Sequence, residues 1–255
     1  MSCIFVTGST DGLGRAAAET LMDAGHRVIL HARSKERAAV LASITGNLAD
    51  IVIGDLSSAG QTRSIADQVN AIGGADAVIH NAGVYHQASR NPTSEGHPTM
   101  LAVNVLAPYI LTALIGRPTR LIYLSSGMHR NAGTSLDDID WKRRAWSPVT
   151  AYSESKLHVA TLAAAVARYR PGVVSSAVDP GWVPTKMGGA GAPGDLEDGH
   201  RTQVWLSVSD DARAKVSGQY WYHRQLQPPS AAVGDVGYQD RLIMRLAEIT
   251  GVSLG

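Results

Sequence analysis

The sequence predicts an α/β fold in which one doubly wound parallel sheet carries helices on both faces. Short apolar runs alternate with longer, Ala-rich amphipathic segments along most of the 255 residues. A glycine-rich stretch, 7–14, follows the first apolar run directly, and further polar motifs follow later apolar runs. Strands that alternate with helices form parallel sheets, and ligands bind beyond the carboxyl ends of their strands.

Hydrophobic periodicity assigns the elements in chain order. The predicted strands are 3–6, 28–31, 49–53, 77–80, 120–125 and 173–178, and the predicted helices are 14–24, 35–44, 57–71, 95–115, 151–170 and 236–250. The C-terminal segment 218–255 adds the aromatic run Tyr220–Tyr222, which brings the total to about seven strands. Right-handed crossovers then place helices on both faces of the sheet. We predict a single domain over residues 1–255.

Composition excludes several classes of protein. The chain is 44% hydrophobic and 18% charged, which is typical of a globular protein and not of a disordered or fibrous one. Its 23 Lys and Arg nearly balance 22 Asp and Glu, so we expect no nucleic-acid partner. No apolar run is long enough to span a membrane. Cys3 is the only cysteine, which indicates a reducing compartment and a cytoplasmic location.

The glycine-rich stretch after the first strand predicts a dinucleotide site. Small residues let the backbone turn tightly and approach a pyrophosphate at the N-terminus of the following helix. The candidate binding residues are Gly8, Ser9, Thr10, Gly12, Leu13 and Gly14. A tight strand-to-helix turn without a ligand is the alternative, but the position at the start of a strand–helix–strand series favours a Rossmann-type domain.

The end of the second predicted strand bears on the choice of dinucleotide. An acidic residue about 20 positions after the glycines would bind the ribose hydroxyls of NAD. This chain has Ala32-Arg33 there, and a guanidinium suits a 2′-phosphate. We therefore expect NADP to be preferred, with NAD left possible. The alternative is that Arg33 is a solvated surface arginine.

Tyr152 and Lys156 are four residues apart, so they lie on one face of a predicted helix. A free tyrosine has a pKa near 10 and is a poor base at neutral pH. A cation about 4 Å away, at an effective dielectric constant near 20, contributes roughly 4 kcal/mol, or about three pKa units. We therefore expect Lys156 to lower the pKa of Tyr152. Most Tyr and Lys pairs at this spacing are structural or solvated, which is the alternative.

Further motifs follow the later predicted strands in a definite order. They are Asp55-Leu56, Asn81-Ala82-Gly83, Asn104 in the next helix, Ser125-Ser126, and Asp179-Pro180-Gly181. Together with the glycine loop and the Tyr152 to Lys156 pair, they resemble the short-chain dehydrogenase/reductase family from the first strand to about Lys186. The long separation of Ser126 from Tyr152 resembles the retinol-dehydrogenase-like and carbonyl-reductase-like branches.

The resemblance implies roles for individual residues. Tyr152 would be the catalytic acid/base, Ser126 would orient the substrate oxygen, and Lys156 would lower the pKa of Tyr152 and bind a ribose. Asn104 would hold a water for proton relay. Asp55 and Leu56 would border the adenine, Asn81, Ala82 and Gly83 the adenosine side, and Pro180, Gly181 and Val183 the nicotinamide.

The resemblance implies an NAD(P)-dependent oxidoreductase that acts on a small-molecule alcohol or carbonyl. A non-catalytic NADP-binding sensor or scaffold is one alternative, and a nucleotide-sugar epimerase is another. Nine histidines without paired spacing give no reason to expect a metal.

Two segments depart from the regular alternation. Residues 127–149 are predicted to be an insertion beside the active site, and the Gly- and Pro-rich segment 182–200 a lid over the substrate. His80, where the family usually has Asn, is expected to be a buried residue at a strand end. The insertion lies near the helix through which the family assembles, so a homo-oligomer is left open.

Overall fold

The computed structural model describes residues 1–44, 46, 48–116 and 118–254, and a single sheet organises them. Its strands are β1 (Cys3–Val6), β2 (Arg27–Ala32), β3 (Ala49–Ile53), β4 (Ala77–His80), β5 (Arg120–Leu124), β6 (Val174–Asp179), β7 (Gln219–Tyr222) and β8 (Gln225–Leu226). The order across the sheet is β3-β2-β1-β4-β5-β6-β7-β8. The predicted fold class is confirmed.

The number of strands differs from the prediction, because the described residues form eight strands. The additional strand β8 has only two residues and is the one that pairs antiparallel with its neighbour, β7. His223 and Arg224 form the connection with positive φ angles of 47° and 59°. A two-residue strand after such a tight turn has no alternation of apolar and polar residues that a sequence could reveal.

Helices cover both faces of the sheet. They are α1 (Gly12–Asp23), α2 (Lys35–Ala39), α3 (Ala59–Ala71), α4 (Thr99–Leu101), α5 (Ala107–Leu114), α6 (Pro148–Tyr169), α7 (Leu196–Val208), α8 (Ala231–Gly234) and α9 (Val236–Thr250). Short 3-10 helices span Val40–Ser43, Gly127–Asn131 and Ala212–Lys215, and a π-helix, Ala102–Leu106, joins α4 to α5. Within the described ranges, no helix has both the length and the apolar character needed to cross a bilayer.

The core has two layers, one on each face of the sheet. In β1, Phe5 points to the layer that includes residues of α3, α5, α6 and α9, whereas Ile4 and Val6 point to the layer that includes residues of α1 and α7. This alternation is the period of two that defines a strand. In the second layer, Trp221 packs edge-on against Trp205, with their ring centroids 5.1 Å apart. Trp221 is therefore a core residue.

Two predicted segments have different bounds in the structure. In the predicted lid 182–200, the loop extends only to Asp195, just before α7 begins. The Asp195 carboxylate caps α7 by accepting hydrogen bonds from the backbone N–H groups of Glu197 and Asp198. Residues 196–200 are therefore helical. The predicted helix 95–115 begins only at Thr99, because Gly96 has a φ of +85° and Pro98 lies at the N-cap. Such breaks end helical periodicity locally.

The segment 127–149, predicted as an insertion, is tied to the rest of the chain by buried polar contacts. The Arg144 guanidinium donates to both oxygens of Glu154 on α6, at 2.6 and 2.5 Å. Only 7% of the Glu154 side chain is exposed, compared with 35% for Arg144. Asp140 accepts a 2.7 Å hydrogen bond from His97. These contacts fix the segment beside the N-terminal half of α6.

We expect Arg144→Met to lower the free energy of unfolding by about 2 kcal/mol. Breaking a fully buried ion pair costs about 3–5 kcal/mol, and the partial exposure of Arg144 reduces that cost. Urea denaturation at pH 7 measures the change. Arg143→Met, at the exposed neighbouring position, is the matched control and should shift the free energy by less than about 0.5 kcal/mol. Equal effects of the two substitutions would contradict a stabilising role for the pair with Glu154.

Candidate active site

A cleft of about 530 Å³ opens at the carboxyl edge of the sheet. Many of the predicted site residues line it: Gly8, Thr10, Gly12, Leu13, Arg33, Asp55, Leu56, Asn81, Ala82, Gly83, Tyr152, Lys156 and Pro180. They come from the ends of β1 to β4 and β6 and from α6. The topology therefore brings motifs that are far apart in sequence into one site.

The glycine loop follows β1 and is packed against the end of β4. A Cβ on Gly14 would lie 2.3 Å from the carbonyl oxygen of Gly8 and 2.4 Å from Nδ2 of Asn81. Gly8 itself has a φ of +69°. Glycine is required at these two positions for different reasons, close approach at Gly14 and left-handed backbone at Gly8.

Ser9 differs from its neighbours in the loop, because it is fully buried and does not line the cleft. Its hydroxyl donates to the carbonyl of Val6 and accepts a 3.1 Å hydrogen bond from the backbone N–H of His31. His31 in turn accepts from the backbone N–H of Gly8 at 3.0 Å. The structure thus gives Ser9 a supporting role inside the loop.

Three charged residues near the adenine-side motifs were not predicted from the sequence. Arg37, on α2, donates to Thr10 Oγ1 and Asp11 Oδ2, both at 2.9 Å, and Lys186 donates to the same Asp11 oxygen at 2.7 Å. Burial alone would raise the pKa of Asp11, but the hydrogen bonds and charges of Lys186 and Arg37 lower it overall. Arg33 lies exposed at the same end of the cleft. The one feature of the sequence that could have indicated Arg37 is that it is a second arginine after β2.

Tyr152 lies at the other end of the cleft, with only 8% of its surface exposed. Burial raises the pKa of Tyr152 and the charge of Asp179 raises it further, whereas a hydrogen bond with Ser126 opposes these effects. The Tyr85 ring packs against Tyr152 with a centroid separation of 4.5 Å. Tyr152 therefore keeps its proton at neutral pH.

Lys156 is one turn further along α6, and its ammonium donates to the carbonyl of Leu124 at 2.8 Å. Burial lowers the pKa of Lys156 to about 8, although Asp179 opposes the shift. Nζ lies 5.4 Å from the Tyr152 ring centroid. The shift for Tyr152 runs opposite to the lowering expected from the Tyr–Lys spacing, because burial and the charge of Asp179 both raise its pKa.

The two adjacent serines at the end of β5 have different partners. Ser125 is buried, and its hydroxyl donates to the backbone carbonyl of Lys156 at 2.9 Å. Ser126 is half-buried and accepts from the backbone N–H of Met128 at 3.3 Å. Of the two serines, Ser126 is the one that lowers the pKa of Tyr152, whereas Ser125 is the one that lines the cleft.

Asn104 lies behind the cleft, in the π-helix. Its amide oxygen accepts from the backbone N–H of Val84 at 2.8 Å, while its nitrogen donates to the Val84 carbonyl and to Ser155 Oγ, both at 3.0 Å. Gly83 separates it from Lys156, since a Cβ on Gly83 would lie 3.5 Å from both side chains. Single π-helical turns are frequent at functional sites.

Asp179, the last residue of β6, contributes a carboxylate to the site, although its sequence motif predicts no role for it. Asp179 is half-buried, and its Oδ1 accepts from the backbone N–H of Gly181 at 3.0 Å. Gly181 has a φ of +80°. Pro180 lines the cleft, whereas Val183 is buried and does not. The Asp179 charge therefore adds to the rise in the pKa of Tyr152 and opposes the fall in that of Lys156, and of these four residues only Pro180 lines the cleft.

An apolar cluster adjoins Tyr152. It contains Met100, Trp141, Ala151 and Tyr152, with Val84, Tyr85, Met128, Trp146 and Met187 packed against it. Trp141, Trp146 and Met128 belong to the insertion, and Met187 belongs to the predicted lid. His86 is hydrogen-bonded to the Met187 carbonyl at 2.8 Å, which joins the segment after β4 to the predicted lid. Trp182, in the predicted lid, is 63% exposed.

His80 has the buried position expected from the sequence. Its ring stacks on Tyr123 with centroids 4.6 Å apart, and its Nε2 is hydrogen-bonded to Thr112 at 3.1 Å. Burial lowers the pKa of His80 to about 3, so the ring is neutral. Among the residues that have been placed, no three His, Cys, Asp or Glu side chains are grouped so as to hold a metal ion.

Comparison with known proteins assigns the family. The family model for short chain dehydrogenases matches residues 2–127. The short-chain dehydrogenase chyC of Penicillium rubens is 40% identical, with all of this chain and 99% of that protein covered. Human retinol dehydrogenase 13 is 26% identical over 98% of this chain and 84% of its own length. The chain belongs to the short-chain dehydrogenase/reductase family of oxidoreductases.

Solved structures agree with the fold. A protein from Mycobacterium paratuberculosis has a TM-score of 0.87 at 24% identity, with 100% of this chain and 95% of that one covered. A short chain dehydrogenase from Shigella flexneri, solved with NADP, has a TM-score of 0.68 at 25% identity, with coverage of 88% and 97%.

We expect Lys156→Met to stabilise the protein at pH 7 by about 2 kcal/mol. The pKa of Lys156 is lower in the folded chain, about 8, than the ordinary value of 10.5. Below pH 8 folding therefore carries the cost of a buried ammonium, and between pH 8 and 10.5 that cost disappears because the folded chain loses the proton first. The advantage of the variant should thus shrink as the pH rises, which urea denaturation at pH 7 and pH 10 would measure.

The exposed Lys35 provides the control for this measurement. Lys35→Met should leave the difference in unfolding free energy from wild type the same at both pH values. A Lys156→Met variant that is less stable than wild type at pH 7, with a pH-independent difference, would show that the buried ammonium is not destabilising.

Proposed function

We propose that the protein is an NADP-preferring oxidoreductase that interconverts an alcohol and a carbonyl group in a small molecule, with Tyr152 as the acid/base. The observation that carries the proposal is the position of Tyr152 beside the buried Lys156, whose Nζ lies 5.4 Å from the Tyr152 ring centroid. This group lies at one end of a cleft whose other end holds a glycine loop and two arginines.

The residues of the cleft fit a dinucleotide. Gly14 leaves room for the glycine loop to pack against Asn81, and the N-terminus of α1 opens on the cleft at Gly12 and Leu13. Backbone N–H groups at a helix N-terminus favour phosphate. Arg33 and Arg37 would hold the 2′-phosphate, Asp55 and Leu56 the adenine, Lys156 a ribose, and Pro180 the nicotinamide. The bound cofactor would supply or accept the hydride.

Tyr152 holds the proton that the reaction needs. Because its pKa is raised, the phenol is protonated at neutral pH and donates to a carbonyl oxygen placed against it. Ser126 donates a second hydrogen bond to the same oxygen and so orients the substrate. Lys156, whose pKa is about 8, remains largely protonated at pH 7 and stabilises the phenolate left after proton transfer.

Reprotonation of Tyr152 requires a path to solvent. Asn104 and Lys156 flank Gly83, at the back of the cleft. Asn104 is fixed by its bonds to Val84 and Ser155, so it presents a rigid polar surface on which a relay water can be held. This assigns Asn104 a positioning role in proton relay.

The surroundings of Tyr152 indicate an apolar or mixed substrate. Tyr85, Met128, Trp146 and Met187 are partly buried against the Tyr152 cluster. Similarity to human retinol dehydrogenase 13 and mouse polyprenol dehydrogenase, whose names denote apolar alcohols, is in keeping with this interpretation. Similarity to the Shigella protein solved with NADP supports the choice of cofactor.

Tyr152→Phe should lower kcat/KM for carbonyl reduction at least about 100-fold, because general acid catalysis is lost. The dissociation constant for NADPH should change less than about twofold, since the ring itself is kept. Steady-state kinetics on a panel of aryl and aliphatic ketones, with tryptophan quenching for NADPH binding, measures both. Tyr109→Phe, a buried tyrosine on α5 that donates to the Val252 carbonyl, is the matched control. Wild-type rates in Tyr152→Phe would defeat the assignment.

Arg33→Ala should weaken NADPH binding by about 10- to 100-fold, the value of a charge-assisted hydrogen bond, while NADH binding stays nearly constant. Arg33→Asp should reverse the preference toward NADH, because a carboxylate repels a 2′-phosphate. Fluorescence titration with each dinucleotide gives the two dissociation constants.

Arg37→Ala tests the second guanidinium in the same assay. The control is Lys35→Ala, because Lys35 is an exposed residue of the same helix, α2, and does not line the cleft. If the ratio of the NADPH and NADH constants does not move in Arg33→Ala or Arg37→Ala, neither arginine binds the phosphate.

A further inference from the structure

His129 lies in the 3-10 helix that follows Ser126 and is completely buried. Its Nδ1 is 2.7 Å from the Ser126 carbonyl oxygen, and its Nε2 is 2.9 Å from the backbone nitrogen of Ser230. The imidazole therefore bridges the Ser126 turn and the C-terminal segment before α8.

These two contacts determine where the ring carries its proton. A backbone N–H only donates, so the contact with Ser230 requires an unprotonated Nε2. A carbonyl only accepts, so the contact with Ser126 requires a proton on Nδ1. Burial lowers the pKa of His129, as does Arg130, against the opposing effects of the Ser126 carbonyl and Asp179. The neutral Nδ1–H form satisfies every partner.

Tyr220, on β7, contacts the His129 ring from the side of the sheet. Its hydroxyl is 3.3 Å from Nδ1 of His129, and its ring packs against the imidazole with centroids 4.7 Å apart. The chain thus supports the Ser126 turn through groups that lie behind it. His129 does not line the cleft, so it acts on the site only through Ser126.

We propose that His129 is a positioning residue, which fixes the backbone at Ser126 through its Nδ1–H and thereby holds the Ser126 hydroxyl against Tyr152. The proposal rests on the function proposed above. The Ser126 carbonyl has two donors, since the backbone N–H of His129 also donates to it at 3.0 Å. The bond from the His129 side chain stabilises the turn that begins at Ser126. In the proposed reaction, the Ser126 hydroxyl must point toward the substrate oxygen.

Two substitutions separate the two nitrogens of His129. In His129→Asn the amide nitrogen replaces Nδ1 and can still donate to the Ser126 carbonyl. In His129→Gln the amide oxygen replaces Nε2 and can still accept from Ser230, while the donor to Ser126 is lost. We expect kcat to fall about 10- to 100-fold in His129→Gln, the cost of misplacing a catalytic group by about 1 Å, and less than about threefold in His129→Asn.

Binding and stability distinguish positioning from a general loss of packing. The dissociation constant for NADPH should stay within about twofold of wild type in both variants, so that the effect falls on kcat. His158→Gln is the matched control, because His158 is also a buried histidine and its Nδ1 bonds to the Tyr238 hydroxyl, away from Ser126. It should lower Tm without lowering kcat.

A further variant leaves the imidazole in place. Ser230→Pro removes the N–H donor to Nε2 and is compatible with the backbone, since Ser230 has a φ of −54°. Once Nε2 loses this partner, the imidazole is anchored through Nδ1 alone and holds the Ser126 turn less firmly, so kcat should fall severalfold. Ser230→Ala keeps the backbone donor and should have wild-type kcat.

Crystal structures of wild type, His129→Asn and His129→Gln give a readout that does not depend on turnover. A displaced Ser126 in His129→Gln alone, together with its loss of kcat, supports the proposal. An unmoved Ser126, or a loss of kcat that is equal in both variants and follows Tm as in His158→Gln, overturns it. If wild type reduces no ketone of the panel, the proposed function fails, and the position of Ser126 still decides whether His129 holds it.

Discussion

The attachment of α6 to the end of β5 is the constraint on which the rest of the site depends. Ser125 donates to the Lys156 carbonyl, and the Lys156 ammonium donates to the Leu124 carbonyl, so a strand end and one helical turn are joined by reciprocal bonds. Because Tyr152 is one turn earlier on the same helix, its distance from Ser126 is set by this joint. The insertion then attaches to α6 through Glu154.

Burial controls the protons of this site more strongly than neighbouring charges do. It raises the pKa of Tyr152 and lowers that of Lys156, which moves both groups toward their neutral forms. The negative charge of Asp179 acts in the other direction on Lys156 and in the same direction on Tyr152. The site as folded therefore favours a protonated phenol, the form required to reduce a carbonyl.

The sequence predicts the sheet and the order of the motifs well, because strand periodicity and strand-end motifs are local properties. Gly14, Asn81, Ser126 and Tyr152 belong to motifs that are recognisable within a few residues. Elements without periodicity were missed: β8 has two residues, and α7 begins at a capping Asp195 within a Gly- and Pro-rich stretch. The sign of the Tyr152 pKa shift was also missed, because burial is a tertiary property.

The contacts that sequence reasoning did not find are those made between distant segments. Asp11 accepts hydrogen bonds from both Arg37 and Lys186, and His129 contacts Ser230 across 101 positions of the chain. The insertion that carries His129 also supplies Trp141 and Trp146 to the apolar cluster at Tyr152. Residues 127–149 therefore both contribute to the apolar cluster beside Tyr152 and contact Ser126, so a change in this cluster is coupled to the geometry of Ser126.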